Sequence, residues 1–122
     1  MNVARRKPRT ARIGVFGVGY HVYWNQFPGL LDELTAKLDV LVQRVKATGA
    51  TAENFGIVDK AQDAYALLPR LKSADLDLVF CDMLTYATSA TFGAIVRNLD
   101  VPIVLVALQP LAAMDYGRAT TH

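Results

Sequence analysis

The sequence predicts an α/β domain of three layers, a parallel sheet held between two layers of helix. Short apolar runs rich in branched residues alternate with longer stretches whose apolar residues recur every three or four positions. The order reads strand, helix, strand, helix, strand, helix, strand, an alternation that builds parallel strands joined by right-handed crossovers. The apolar share of 52% suits a sheet buried on both faces.

Each element has its own signal. "RIGVFGV" (12–18) is a continuous apolar run and reads as a central strand. A helix follows, with Phe27, Leu30, Leu31, Leu34, Leu38, Leu41, Val42 and Val45 on one side and Asp32, Glu33, Lys37, Asp39, Arg44 and Lys46 on the other. Asn25 is its expected N-cap, Pro28 stands in its first turn, and Thr48-Gly49 ends it. "AENFGIV" (52–58) reads as the second strand, and Asp59 as the N-cap of a second helix. The apolar side of that helix is Ala61, Ala64, Tyr65, Leu68 and Leu71, with Pro69 set to kink or shorten it. "DLDLVFC" (75–81) is the third strand; Thr88 or Ser89 then caps a third helix carrying Phe92, Ile95, Val96 and Leu99. Asp100 and Pro102 stop that helix, and "PIVLVAL" (102–108) is the clearest strand in the chain.

The expected sheet is flavodoxin- or Rossmann-like, with strand order 2-1-3-4. A doubly wound sheet usually continues with a fifth strand and another helix. The final "QPLAAMDYGRATTH" supplies neither, so residues 12–122 are expected to be the first α/β domain of a longer protein.

Charge is unevenly spread along the 122 residues, whose net charge is +2. Arg5, Arg6, Lys7, Arg9 and Arg12 supply five of the thirteen basic residues, and no acid precedes Asp32. From residue 13 onward eight basic residues face all eleven acids, a balance of −3. Residues 1–11 therefore read as a basic, flexible arm on a mildly acidic body. No basic face continues into the body, so no nucleic-acid partner is expected. No apolar run reaches membrane-spanning length, so no membrane partner is expected either. The Arg5-Arg6 pair is not followed by an export signal, because Arg12 and His21 interrupt the apolar stretch and no small-residue cleavage site follows. Cys81 is the only cysteine and ends an apolar run, which fits a buried thiol and a cytoplasmic setting.

In an open parallel sheet ligands bind at the carboxyl ends of the strands, where strand order reverses. That rule selects loops 17–26, 81–89 and 107–116. They hold Tyr20, His21, Tyr23, Asn25 and Gln26; Asp82, Thr85, Tyr86, Thr88 and Ser89; and Gln109, Asp115 and Tyr116. A dinucleotide fingerprint does not fit: starting at Gly17, G-x-G-x-x-G requires glycine where Val22 stands. His21 is the only interior histidine and the chain has no clustered metal-ligand motif. Ser73 and Ser89 sit in no nucleophile elbow. What remains is neutral hydrogen-bonding groups beside aromatic rings, with Trp24 and Phe27 nearby. Hydroxyl groups need such donors and acceptors, and the C–H faces of a sugar lie well against rings.

Three short motifs carry a family resemblance. Gly19-Tyr20-His21-Val22-Tyr23 is similar to the "Q-H-L-Y-G" segment that follows the first strand of the L-arabinose isomerase family. Leu84-Thr85-Tyr86-Ala87-Thr88-Ser89-Ala90 is similar to its "H-T-F-S-x-A" loop. Leu108-Gln109-Pro110, with Met114-Asp115-Tyr116 beyond, resembles its "T-Q-F" and "P-W". The resemblance implies the N-terminal domain of an aldose–ketose isomerase of the arabinose/fucose type. This domain would contact the sugar and join neighbouring subunits of a homo-oligomer, and alone it would be inactive. His21, Tyr23, Thr85, Tyr86 and Gln109 are the implied sugar-contacting residues. The family's divalent metal, usually Mn2+, would be held by later domains, and no catalytic residue or metal ligand is expected in this chain. Tyr20, Val22 and Pro110 depart from the family's glutamine, leucine and phenylalanine. These departures leave the sugar open between arabinose and another pentose or hexose. A stand-alone flavodoxin-like ligand-binding or regulatory domain is the alternative.

Overall fold

The computed structural model describes residues 10–107. Their elements are β1 (Arg12–Val18), α1 (Val22–Gln26), α2 (Leu30–Lys46), β2 (Thr51–Val58), α3 (Ala61–Ser73), β3 (Leu78–Met83), α4 (Ser89–Val96) and β4 (Ile103–Val106). All strand pairs are parallel, and the order across the sheet is β2-β1-β3-β4. The predicted three-layer fold and strand order are thus the ones observed.

Side-chain alternation along the strands separates two cores. Phe16, Val18, Val79 and Cys81 point to the face covered by α3 and α4, where they meet Ala64, Leu67, Leu68, Leu71, Ala94 and Ile95. Ile13 and Val15 point the other way, onto Leu38, Leu41, Val42 and Val45 of α2. Leu78, Phe80, Leu84 and Val106 pack at the margin of this second core. Asp82 shares their parity on β3 and so faces the α2 side.

The local departures from the sequence expectations have physical causes. One helix was expected from Asn25 to Thr48, but two form. Proline disfavours helical backbone at the residue before it, and Phe27 adopts φ −128°, ψ 88°. Gly29 then takes φ 84°, a left-handed conformation that costs glycine little, and α2 starts at Leu30. Asn25 lies inside α1 and caps nothing.

Asp59 is not the N-cap of α3. Lys60 holds that position without a side-chain cap bond, because the Asp59 carboxylate is engaged by Trp24. The helix runs through Pro69 on its exposed side, and Leu67 replaces the solvent-facing Tyr65 in the core. β3 begins three residues later than expected, after Asp75 takes φ 56°. Thr88 caps α4 as expected, its hydroxyl accepting from the Thr91 N–H at 3.4 Å. Among the described strands β4 stands at an edge of the sheet, with Val104 and Leu105 exposed despite their apolar character. Among the described residues no helix is long and apolar enough to cross a membrane.

Candidate functional site: a ring-lined rim at the ends of β1 and β3

Strand order reverses between β1 and β3, which lie side by side with Gly17 opposite Asp82 and Val18 opposite Met83. Their carboxyl ends lead into the two loops that carry most of the selected polar residues. The Leu84 N–H donates to the Val18 carbonyl at 3.2 Å, and the Gly19 N–H donates to the Val58 carbonyl at 3.1 Å. These bonds hold the two loops beside each other and beside the end of β2.

Gly19 shows what the glycine-rich turn is for. A Cβ built there would lie 2.9 Å from Trp24 Cη2 and 3.5 Å from Thr85 Oγ1. The bare backbone therefore lets an indole ring lie against the turn, on ground where a nucleotide-binding glycine would admit a pyrophosphate. The indole is fixed at its far end, where Trp24 Nε1 donates to Asp59 Oδ2 at 2.7 Å. His21 is tied to the same residue: in the tautomer protonated at Nδ1, that nitrogen donates to the Asp59 carbonyl at 3.3 Å. Asp59 thus anchors α1 to the end of β2.

Tyr20 is the hub of the rim. Its ring meets those of His21, Tyr23 and Tyr86 edge-on, at centroid distances of 5.4, 5.2 and 5.3 Å. Tyr23 continues the set to Phe27 at 5.9 Å. Edge-to-face pairs of this kind hold rings at fixed angles. Beside them lies an open depression of about 710 Å³, lined by Tyr23, Gln26, Phe27, Pro28, Leu30, Glu33 and Thr85. It offers two aromatic walls, an amide, a carboxylate and a hydroxyl. The Thr85 hydroxyl donates to the Tyr86 carbonyl at 2.9 Å, which leaves its oxygen lone pairs available as acceptors.

Of the residues predicted from sequence, His21, Tyr23, Thr85 and Tyr86 converge on this rim. Gln109 lies outside the described residues. Sequence reasoning passed over the importance of Tyr20, Gln26, Phe27, Glu33 and Asp59. It named Asp82 among the loop residues without giving it a role; the residue is only 2% exposed and its Oδ2 has no hydrogen-bond partner. The signal was available: a single acid closing an apolar parallel strand at its carboxyl end. Burial pushes the Asp82 carboxyl above the ordinary carboxylate range, and the positive charge of Lys37 opposes this only partly. On the opposite face Cys81 is fully buried, and burial with the nearby Asp82 charge pushes its thiol up to about 12. It is a neutral packing group, as the sequence suggested.

Fold and site together define a small parallel αβα domain with an aromatic and polar rim at its switch point. No family model, curated protein or solved structure matches the chain.

Proposed function

We propose that the rim binds a small polyhydroxylated ligand, a sugar. In this reading the chain is the substrate-contacting and oligomerising N-terminal domain of an aldose–ketose isomerase of the arabinose/fucose type. The observation that carries the reading is the meeting of Tyr20, Tyr23, Tyr86 and His21 from two separate loops, next to a depression with polar groups among its rings. Ring faces accept the C–H surface of a sugar, while Gln26, Glu33 and Thr85 pair with its hydroxyls. Two of the three short motifs resembling the arabinose isomerase family, at Gly19–Tyr23 and Leu84–Ala90, fall on these two loops and support the narrower form of the proposal; the third lies outside the described residues.

Isomerisation in that family moves a proton between neighbouring carbons with a divalent metal, manganese in most cases. Among the described residues no three His, Cys, Asp or Glu side chains form a ligand group for a metal. The chain's own part in this reading is to bind and orient the sugar.

Trp24 is the only tryptophan and lies against Gly19 at the rim. Titration of the protein with L-arabinose and a panel of other aldopentoses and aldohexoses is expected to change its emission saturably for at least one sugar. NAD is expected to leave the emission unchanged. Saturable quenching by NAD with no response to any sugar would overturn the proposal in favour of a nucleotide site.

A further inference from the structure

Among the described strands the sheet ends in two edges, and they are built differently. β2 is defended. Glu53 and Asn54 are exposed there, and the ladder slips: Val15 pairs with Asn54 but Gly17 with Ile57. Inside the slip Gly56 takes φ 86°, and its N–H donates to Asn54 Oδ1 at 2.8 Å. A bulge and a charge both keep another chain off an open edge. β4 has neither. It reads Ile-Val-Leu-Val, without charge, glycine or proline, and it stays in register with β3 throughout. Among the described residues it pairs on one side alone.

The backbone of β4 is turned outward at alternate residues. The Val79 N–H donates to the Pro102 carbonyl at 3.0 Å. In a parallel ladder the following bonds run to Val104 and Val106, so Ile103, Leu105 and Ala107 point their N–H and C=O groups to the open side. Apolar side chains stand exposed on both faces of the same strand. Leu105, in register with Cys81, lies on the α4 face and is 53% exposed. Val104, in register with Phe80, lies on the α2 face and is 42% exposed. The neighbouring helix is of the same character: Phe92 of α4 and Ile103 of β4 pack on one core. α2 and α3 carry acids in their first turn and bases in their last, whereas Ser89–Val96 carries no charge and exposes Val96. A helix without a charged face is normally covered.

We propose that a second copy of this chain pairs at this edge, β4 against β4, about a two-fold axis that passes between the two Leu105 residues. Edge strands related by a two-fold axis normal to the sheet run antiparallel, and antiparallel strands at the margin of a parallel sheet are common. The outward groups of Ile103, Leu105 and Ala107 fix the register. Leu105 faces the partner's Leu105, Ile103 faces the partner's Ala107, and Val104 faces the partner's Val106. About six backbone hydrogen bonds close across the axis. The strand is complementary to itself because it carries no charge to meet its like, and a partner recognised through charge finds nothing on it to hold. Four strand residues are few beside the roughly 20–30 a side of a standard interface, so the dimer is reversible, with a dissociation constant on the order of 10–100 µM. The edge shares no residue with the depression at the rim, and the pairing stands without the sugar reading.

Sedimentation of the whole chain from about 5 to about 500 µM is expected to show a reversible monomer–dimer equilibrium that stops at the dimer. Leu105→Lys sets two like charges opposite each other and is expected to raise the dissociation constant at least about tenfold. Far-UV circular dichroism checks that the variant is folded. Leu105→Cys is expected to lock the dimer on mild oxidation, because residues so paired stand about 5.5 Å apart at Cα, within disulfide reach. Cys81 is buried and stays out of the reaction. Val40→Cys, at a position 51% exposed on α2, is the control and is expected to stay unlocked. A chain monomeric at the highest concentration would give the edge to another occupant and overturn the proposal. Assembly that runs on past the dimer, a dimer that Leu105→Lys leaves intact, or equal locking at positions 105 and 40 would overturn it as well. Sugar titration of Leu105→Lys is expected to match the wild type, so the failure of either proposal leaves the other standing.

Discussion

Tyr20→Ala is expected to lower sugar affinity at the rim at least tenfold and to cost about 2 kcal/mol of stability. Tyr20 makes all three edge contacts that join His21 and Tyr23 to Tyr86, so among the described residues no other single ring connects the two loops. Each such pair is worth about 0.5–1.5 kcal/mol beyond the area it buries, and the three do not add fully. The binding effect is the larger in consequence. Without the hub, Tyr23 loses the edge contact on one side of its ring and keeps only Phe27, and Tyr86, already 62% exposed, loses its ring partner. Freed rings must be ordered again when the ligand binds, at about 0.5–1.5 kcal/mol per side chain. Urea unfolding and sugar titration of the same sample measure both effects. Tyr65→Ala is the control: that ring is 54% exposed on α3, and its loss is expected to shift stability by under about 0.5 kcal/mol and to leave binding unchanged. Wild-type affinity in Tyr20→Ala would show that the ring cluster is packing and nothing more.

Asp82→Val is expected to stabilise the protein near neutral pH by about 1–3 kcal/mol, the scale of a buried polar group without a partner. Valine suits a central parallel strand and would face only Gly17 and Val106 across the neighbouring strands. The gain depends on pH with a definite sign. The folded-state pKa of Asp82 lies above the ordinary value of 3.8, because burial disfavours the charge more than Lys37 favours it. Below that value both folded and unfolded chains are protonated there, and the wild type carries no ionisation penalty. As pH rises, the unfolded chain gives up its proton first, and wild-type stability falls until the folded carboxyl ionises too. The advantage of Asp82→Val therefore grows as pH rises above about 4 and levels off once the folded carboxyl has ionised. Unfolding midpoints of both proteins across that range read it directly. A difference independent of pH, or a wild type that is the more stable at neutral pH, would show that Asp82 has a partner in solution.

The fold was legible because its main signal is periodic. The apolar runs at 12–18, 52–58 and 102–108 and the three-to-four spacing from Leu30 to Val45 leave little choice of element type. Element ends were less legible because they are set by single residues acting on backbone geometry. Pro28 shifts the start of α2 by acting on Phe27, and Gly29 completes the break. Asp59 looked like a helix cap because its sequence position is that of a cap. Its carboxylate is drawn away by Trp24, a residue 35 positions earlier that no local pattern brings near. The rim was half legible. Topology alone selected its two loops, and the family resemblance singled out His21, Tyr23, Thr85 and Tyr86 within them. What sequence could not rank was Tyr20 above its neighbours, since a hub is defined by its contacts, or Glu33 above the other acids of the exposed face of α2. Asp82 was visible among the loop residues, but its weight comes from burial and a missing donor, which only three dimensions reveal.

The chain also has an internal control for any binding claim. A second depression, of about 290 Å³, lies at the other edge of the sheet between β2 and α3, where Arg70 stands over the Phe55 ring at 5.3 Å. It holds charged groups, Asp63 and Arg70, and shares no residue with the rim.

Backbone NMR of the isotopically labelled protein, titrated with L-arabinose and the same panel of sugars, distinguishes the two places residue by residue. For at least one sugar, saturable shifts are expected in Gly19–Phe27, Glu33 and Leu84–Tyr86, with Phe55, Asp63 and Arg70 unmoved. Shifts confined to Phe55, Asp63 and Arg70, or no saturable shift with any sugar, would contradict sugar binding at the rim.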